Sequence, residues 1–271
     1  MLKRTAPAAL LVSLGMLAYG ATAAAAEEGD AAKKSAAAED DAKDGAKAKA
    51  APDAGYLIGA RYRGILVPTF MQRLFADGGG TVYFNAVGPE IAIRNDRHME
   101  VNLSAWLAFY TFNDLPFKGK SDPDTSWEIL NSDVKLLYFT ADFLWDQPLS
   151  PQWAIIYGLG VGPGFSFGNV ERLQAFPQNG PPDDPNSYVP CLGPNNPPGG
   201  FCDPADNNRF PGNDERFEPS FFNGGAKPAI FPWITLQTGV RFKPVKEFAA
   251  RLDLGFGTSG FLLGLGGDYA L

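Results

Sequence analysis

The stretch that decides the fold is 248-FAARLDLGFGTSGFLLGLGGDYAL-271. It reads as two alternating β-strands separated by a turn at Thr258 to Gly260. On the second strand Phe261, Leu263, Leu265, Tyr269 and Leu271 fall on one face, and Gly264, Gly266, Asp268 and Ala270 on the other. On the first, Phe248, Ala250, Leu252, Leu254 and Phe256 oppose Arg251 and Asp253. An apolar face that runs to the last residue, with an aromatic beside it, suits a lipid-facing strand that closes a barrel. A bilayer core has no water for backbone polar groups, so strands cross it only where every edge is paired.

Working back from this pair, the same period of two recurs. Strands are expected near 56–66, 82–94, 99–112, 133–145, 152–166, 228–242, 247–257 and 260–271. On the third of these, Met99, Val101, Leu103, Ala105, Leu107 and Phe109 oppose Glu100, Asn102, Ser104 and Tyr110. On the fifth, Trp153, Ile155, Tyr157, Leu159, Val161 and Phe165 oppose Ala154, Gly158, Gly160, Gly162, Gly164 and Ser166. The second strand is irregular: Gly88 and Pro89 interrupt it, Asn85 lands on the apolar side, and a bulge is expected there. The connections alternate in length. Tight turns lie at 95–98, 146–151 and 243–246, with longer segments at 66–81, 113–131 and 168–227 between them. Short turns at one end and long loops at the other are the outer-membrane pattern, and an even strand count puts both termini on the periplasmic side.

The parity of the faces sorts the charges. Arg61, Arg63, Glu90, Arg94, Glu100, Asp142, Arg241, Arg251 and Asp253 are expected in the lumen as a mixed-sign network. An Arg on the lipid face at mid-membrane would cost about 2–4 kcal/mol. Phe84, Trp106, Tyr110, Phe112, Tyr138, Phe231 and Trp233 share the lumen parity, mostly in the outer half. Trp145, Trp153, Phe248 and Tyr269 are placed at the periplasmic membrane interface, where amphipathic rings prefer the headgroup level.

The chain before the barrel has a different character. Lys3 and Arg4, an apolar core over Ala8 to Tyr19 and small residues from Ala21 to Ala26 read as a signal peptide over 1–26. Residues 27–54 are an Ala/charged linker without an aromatic before Gly55, too poor in large apolar groups to order. The barrel is assigned to 55–271 and its long extracellular loop to 168–227. With export, Cys191 and Cys202, both in that loop, suit a disulfide; two unpaired thiols are the alternative.

These features resemble the small bacterial outer-membrane β-barrels, the OmpA-transmembrane, OmpX and OmpW-like group. The likeness rests on the signal sequence, the amphipathic strands and the terminal FLLGLGGDYAL, although the chain ends in Leu271 where that group usually ends in Phe. The resemblance implies an all-β, antiparallel eight-stranded transmembrane barrel with a disordered N-terminal segment. It also implies insertion by the barrel assembly machinery, a monomer in outer-membrane lipid, and no cofactor.

Several function classes lose support. A formal charge of −7 gives nucleic acid no electrostatic footing. The single histidine, His98, sits between Arg97 and Met99 in a predicted periplasmic turn rather than at the outer rim where a barrel hydrolase needs it, so neither catalysis nor a metal site is assigned. The Gly158 to Gly164 run lacks the G-x-G-x-x-G spacing and lies inside a strand. The acidic loop residues Asp183, Asp184, Asp203, Asp206, Asp214 and Glu215 lack EF-hand spacing. A soluble eight-stranded ligand barrel would need polar outer faces, which Gly, Ala and Ser do not supply. The expectation is a non-enzymatic outer-membrane protein with a structural or surface-interaction role through its long loop. The alternative is a narrow channel or pocket for small, hydrophobic molecules, suggested by the lumen aromatics.

Overall fold

The computed structural model describes residues 55–74, 76–95, 98–205, 207–223 and 227–271. The expected signal peptide and linker, and Asp206 of the acidic loop, lie outside the described residues. In chain order the strands are β1 (Gly55–Val67), β2 (Ala76–Gly78), β3 (Val82–Arg94), β4 (Met99–Gly119), β5 (Glu128–Pro148), β6 (Trp153–Phe167), β7 (Val170–Pro177), β8 (Tyr188–Pro190), β9 (Ile230–Val245), β10 (Phe248–Gly257) and β11 (Gly260–Ala270). Eight of them close into one antiparallel barrel in the order β1–β3–β4–β5–β6–β9–β10–β11, with β11 pairing back onto β1. Closure removes every free edge, which is what a strand needs where no water can pair it.

Burial follows the alternation. In β10 Arg251 and Asp253 are buried while Leu252 and Leu254 are exposed. In β11 Phe261, Leu263, Leu265 and Tyr269 are exposed, and Asp268 is 1% exposed. The barrel therefore wears its aliphatic side chains outside and encloses its charges, the reverse of a soluble domain. This is the architecture of a small outer-membrane barrel.

The tight turns share one rim with Tyr56 and Leu271. Leu271 N–H donates to Tyr56 O at 3.0 Å, Ala270 N–H to Glu247 O at 2.7 Å, and Asp146 N–H to His98 O at 2.9 Å. The described residues of 68–81, 120–127 and 168–229 and the turn at Thr258 lie at the opposite, upper rim. Gly260 in that last turn has φ +110°, and a Cβ there would sit 2.4 Å from Leu66 O, so glycine is required.

Three expectations need correction. First, β3 carries no bulge at Gly88–Pro89. It stays in one register with β1 throughout, and with β4 it resumes the same register after the two residues. Pro89 lacks an N–H, so it interrupts the ladder locally without inserting a residue. Second, the segment 113–131 is not a simple loop, because β4 and β5 continue through it. Their register shifts between Phe112 and Leu115, where Asp114 takes φ 54° and its N–H donates to Asn131 Oδ1 at 2.8 Å. That bulge marks the change from barrel wall to a hairpin standing above it. Third, the long loop is not merely a solvated excursion. Its prolines keep it out of the barrel, yet β7 pairs with the upper part of β5, and β8 with β7. With β2 on the other side of the hairpin, these strands form a cap above the rim.

Candidate functional site: the lumen and the cap

The lower lumen is an ion-pair lattice. Arg61, Arg63, Glu90, Arg94, Glu100, Asp142, Arg241, Arg251 and Asp253 are all buried inside the barrel, none more than 8% exposed. Glu100 of β4 receives three arginines: Arg94 from β3 at 2.5 Å, Arg241 from β9 at 2.8 Å and Arg251 from β10 at 2.8 Å. Arg251 also binds Glu90 and approaches Asp268 of β11 at 3.5 Å. Asp142 of β5 binds Arg61 and, at 2.6 Å, Arg63 of β1. Arg61 Nε lies 2.9 Å from Glu90 Oε2, and its guanidinium lies 4.0 Å from Asp253. With Asp268, and with Asp146 beside Arg241 near the tight-turn rim, five arginines face six carboxylates, and every arginine meets at least one acid. Charges withdrawn from water are tolerated only when so matched.

The glycines of β6 make this possible. A Cβ at Gly160 would lie 2.1 Å from Asp142 Oδ1 and 2.9 Å from Thr235 Oγ1. The small lumen face of β6 therefore leaves room for the charges of its neighbours.

Above the lattice is an aromatic layer. Trp106 stacks on Tyr138 with ring centroids 4.2 Å apart, and Trp233 meets Trp106 edge-on at 4.7 Å. Phe84 and Tyr110 pack at 4.3 Å, and Ile65, Leu136 and Leu262 complete the cluster. Phe112 and Phe231 pack against its margin. Arg63 joins the two layers: its guanidinium lies 4.8 Å from the Trp106 ring and 5.1 Å from that of Trp233. Trp106 Nε1 donates to Thr140 Oγ1 at 3.1 Å. Tyr138 is wholly buried and Trp233 only 1% exposed, so the rings fill this level of the barrel.

The cap has its own core and its own ion pairs. Trp127, Ile129, Ala175 and Tyr188 cluster beneath Phe201. Cys191 and Cys202 form a disulfide that packs with Phe210. Glu128 receives Arg172 at 2.6 Å and Arg209 at 2.7 Å, and Glu218 takes the same two arginines at 2.9 and 3.2 Å. Gln174 Nε2 donates to Asp203 O and Asn207 O, tying the far loop to β7. Tyr188 donates its hydroxyl to Asp124 O at 3.1 Å and Pro182 O at 2.9 Å. Burial, then the charges of Asp124 and Asp183, push that hydroxyl up to about 12.

Of the interface aromatics, Trp145, Trp153, Phe248 and Tyr269 are all exposed on the barrel exterior near the tight-turn rim. Trp153 packs on Phe242 at 4.5 Å, and Phe248 sits opposite Tyr269. His98 lies in the first tight turn, its Nδ1 3.3 Å from Asp146 Oδ1. Among the described residues the acidic loop side chains form no group of three that would hold a metal ion.

Sequence reading missed two lumen carboxylates. Asp268 shares the face of Gly264 and Gly266, so its parity was a usable signal. Asp146 was assigned to a turn, and only the fold shows it 3.1 Å from Arg241. Asn102, Thr235 and Gln237 are also buried lumen polar groups that belonged to no expected network.

No family model matches the chain, and no curated protein matches it. Solved structures do overlap it loosely. Ail, the attachment invasion locus protein of Yersinia pestis, is 9% identical, with a TM-score of 0.37 over 80% of this chain and 99% of Ail. Neisserial surface protein A is also 9% identical, with a TM-score of 0.37 over 80% of this chain and 96% of its own. An outer membrane channel from Pseudomonas putida F1 is 8% identical, with a TM-score of 0.25 over 85% of this chain and all of the channel. Overlaps this loose transfer no property to this chain.

Proposed function

We propose that this chain, a barrel with the fold of the small outer-membrane β-barrels, resides in a bacterial outer membrane and acts through its cap as a surface-interaction protein, without catalysis. Its tight-turn rim is periplasmic and its cap extracellular. The observation that carries the reading is a division of labour. The lumen is filled at two levels, by a lattice of paired arginines and carboxylates and by stacked aromatics. The long loop is folded around its own core, salt bridges and disulfide. A filled lumen favours a rigid stake over a passage, and an ordered loop offers a fixed surface at little further entropic cost.

Two experiments test it. Detergent-refolded protein in planar bilayers should leave the membrane electrically silent. Stepwise openings would overturn the filled lumen in favour of passive transport of small molecules. An epitope inserted between Gly199 and Gly200, where added atoms meet open space, should be stained by antibody on intact cells. Staining only after permeabilisation would reverse the assigned orientation.

A further inference from the structure

The barrel exterior holds a hydrogen-bonded polar cluster that an apolar belt does not require. Tyr62 of β1 donates its hydroxyl to Asn85 Oδ1 of β3 at 2.6 Å, and the Tyr62 and Tyr83 hydroxyls lie 2.6 Å apart. All three groups belong to an exposed outer patch, where the register sets them beside the upper aromatic row. Tyr83 pairs with Leu66, Leu66 with Phe261, and Phe261 with Phe256. Gly64, on the same outer face as Tyr62 and Leu66, pairs with Asn85, and the Tyr83 hydroxyl rests over it: a Cβ there would lie 2.3 Å from that oxygen.

Counting hydrogens shows what the cluster offers. With Tyr62 bonded to Asn85 and Tyr83 donating to Tyr62, both hydroxyl protons and the amide oxygen are used. The amide N–H groups of the exposed Asn85 are left without a partner among the described residues. A donor facing hydrocarbon without an acceptor is costly, so this height of the belt calls for acceptor oxygens from a lipid. The first upper loop adds the other parts. Phe70 packs edge-on to Phe261 with centroids 6.5 Å apart, and Phe70 and Leu74 are 58% and 64% exposed. Lys120 Nζ donates to the backbone carbonyl of Arg73 at 3.4 Å, so the first upper loop and the end of β4 meet through two exposed basic residues, and neither forms a salt bridge among the described residues. Two of the neighbouring carboxylates are engaged, Asp77 by Ser121 N–H and Asp124 by Lys118, and that of Asp122 lies over Gly119.

We infer that the outer face of β11, β1 and β3, with the first upper loop, is a binding site for one phosphate-bearing lipid of the outer leaflet. Its acyl chain lies along Phe261, Leu263 and Leu66, the Asn85 amide donates to its ester or phosphate oxygens, and Arg73 and Lys120 face its phosphate. The inference rests on the outer-membrane reading above.

The test uses the full mature chain in detergent micelles and native mass spectrometry. The probes are dipalmitoyl phosphatidic acid and dipalmitoylglycerol, which share acyl chains and differ in the phosphate. Wild type should retain one phosphatidic acid at least about tenfold better than the diacylglycerol, about 1.4 kcal/mol. Asn85→Leu and the pair Arg73→Gln, Lys120→Gln should each bring retention down to the diacylglycerol level. Phe139→Leu, on another part of the exterior, should not. Equal retention of the two lipids by wild type, or undiminished retention in both cluster variants, overturns the site. A boiling-dependent gel shift, run on every variant, separates that failure from failure of the barrel reading: a folded barrel without lipid preference sinks only the lipid site.

Discussion

At the scale of single residues, the lumen is governed by matched charge. Arg251 is the hub on β10, contacting Glu90, Glu100 and Asp268 from three other strands. Removing it leaves buried Asp268 without its arginine and takes one partner each from Glu90 and Glu100. Arg251→Leu is therefore expected to cost about 3–5 kcal/mol, read as a lowered urea midpoint for the detergent-folded barrel. An unchanged midpoint would mean that the lattice contributes nothing to stability. In the cap, Tyr188 makes a pH prediction. Its hydroxyl titrates near 12 in the folded chain against 10.0 for an ordinary tyrosine. The folded state holds the proton more tightly, so its contribution is full below pH 10 and is lost as pH rises from about 10 to 12. Protease resistance of the cap should fall over that window in wild type and stay flat in Tyr188→Phe.

At the scale of elements, strand approach is controlled by glycine. A Cβ at Gly162 of β6 would lie 2.0 Å from the Phe139 carbonyl oxygen of β5, a backbone atom that no rotamer change can move. Gly162→Val should abolish the boiling-dependent gel shift, whereas Gly193→Val in the cap, where a Cβ meets open space, should retain it. If both variants shift normally, the close approach of β5 and β6 is not needed for folding. The cap is an element of a different kind. Its disulfide closes a short loop with a sequence separation of 11 residues, a constraint of about 3 kcal/mol in the chain-entropy account. Reduction should open 177–205 to protease while leaving the barrel's gel shift intact.

At the scale of the whole molecule, the chain is an inverted protein with a conventional one built on top. The barrel hides arginines and displays leucines, whereas the cap buries Trp127, Ile129 and Phe210 and exposes Asp183, Asp203 and Asp214. Detergent or lipid should therefore be required for the barrel to stay dispersed. A mature chain that remained a compact monomer in buffer alone would contradict the apolar exterior. The bilayer silence expected of the filled lumen belongs to this scale too, since it depends on lattice and aromatic layer together.

The strands were legible because alternation is a local property. Successive side chains point to opposite faces, so Leu252, Arg251 and their neighbours declare both the strand and the medium on each side. The same parity placed Trp106 and Tyr138 within the lumen. It went wrong at Gly88–Pro89, where a missing N–H was read as an extra residue. It also stopped short at Phe112, beyond which β4 continues as a hairpin that no membrane face marks. Asp268 carried the right parity, but its role depends on Arg251 of the neighbouring strand.

What the amino-acid order determined alone is therefore the set of barrel strands, which side of each meets lipid, and which charges must turn inward, because each follows from a repeat of two within a few residues. Only the tertiary structure decided which arginine meets which carboxylate and how the long loop folds. Arg251 and Glu90 are 161 positions apart, and Arg63 and Asp142 are 79 apart. Register and closure bring them together, and no local pattern encodes that. The cap likewise has no periodicity of its own, and takes its form from the hairpin of β4 and β5 that it packs against.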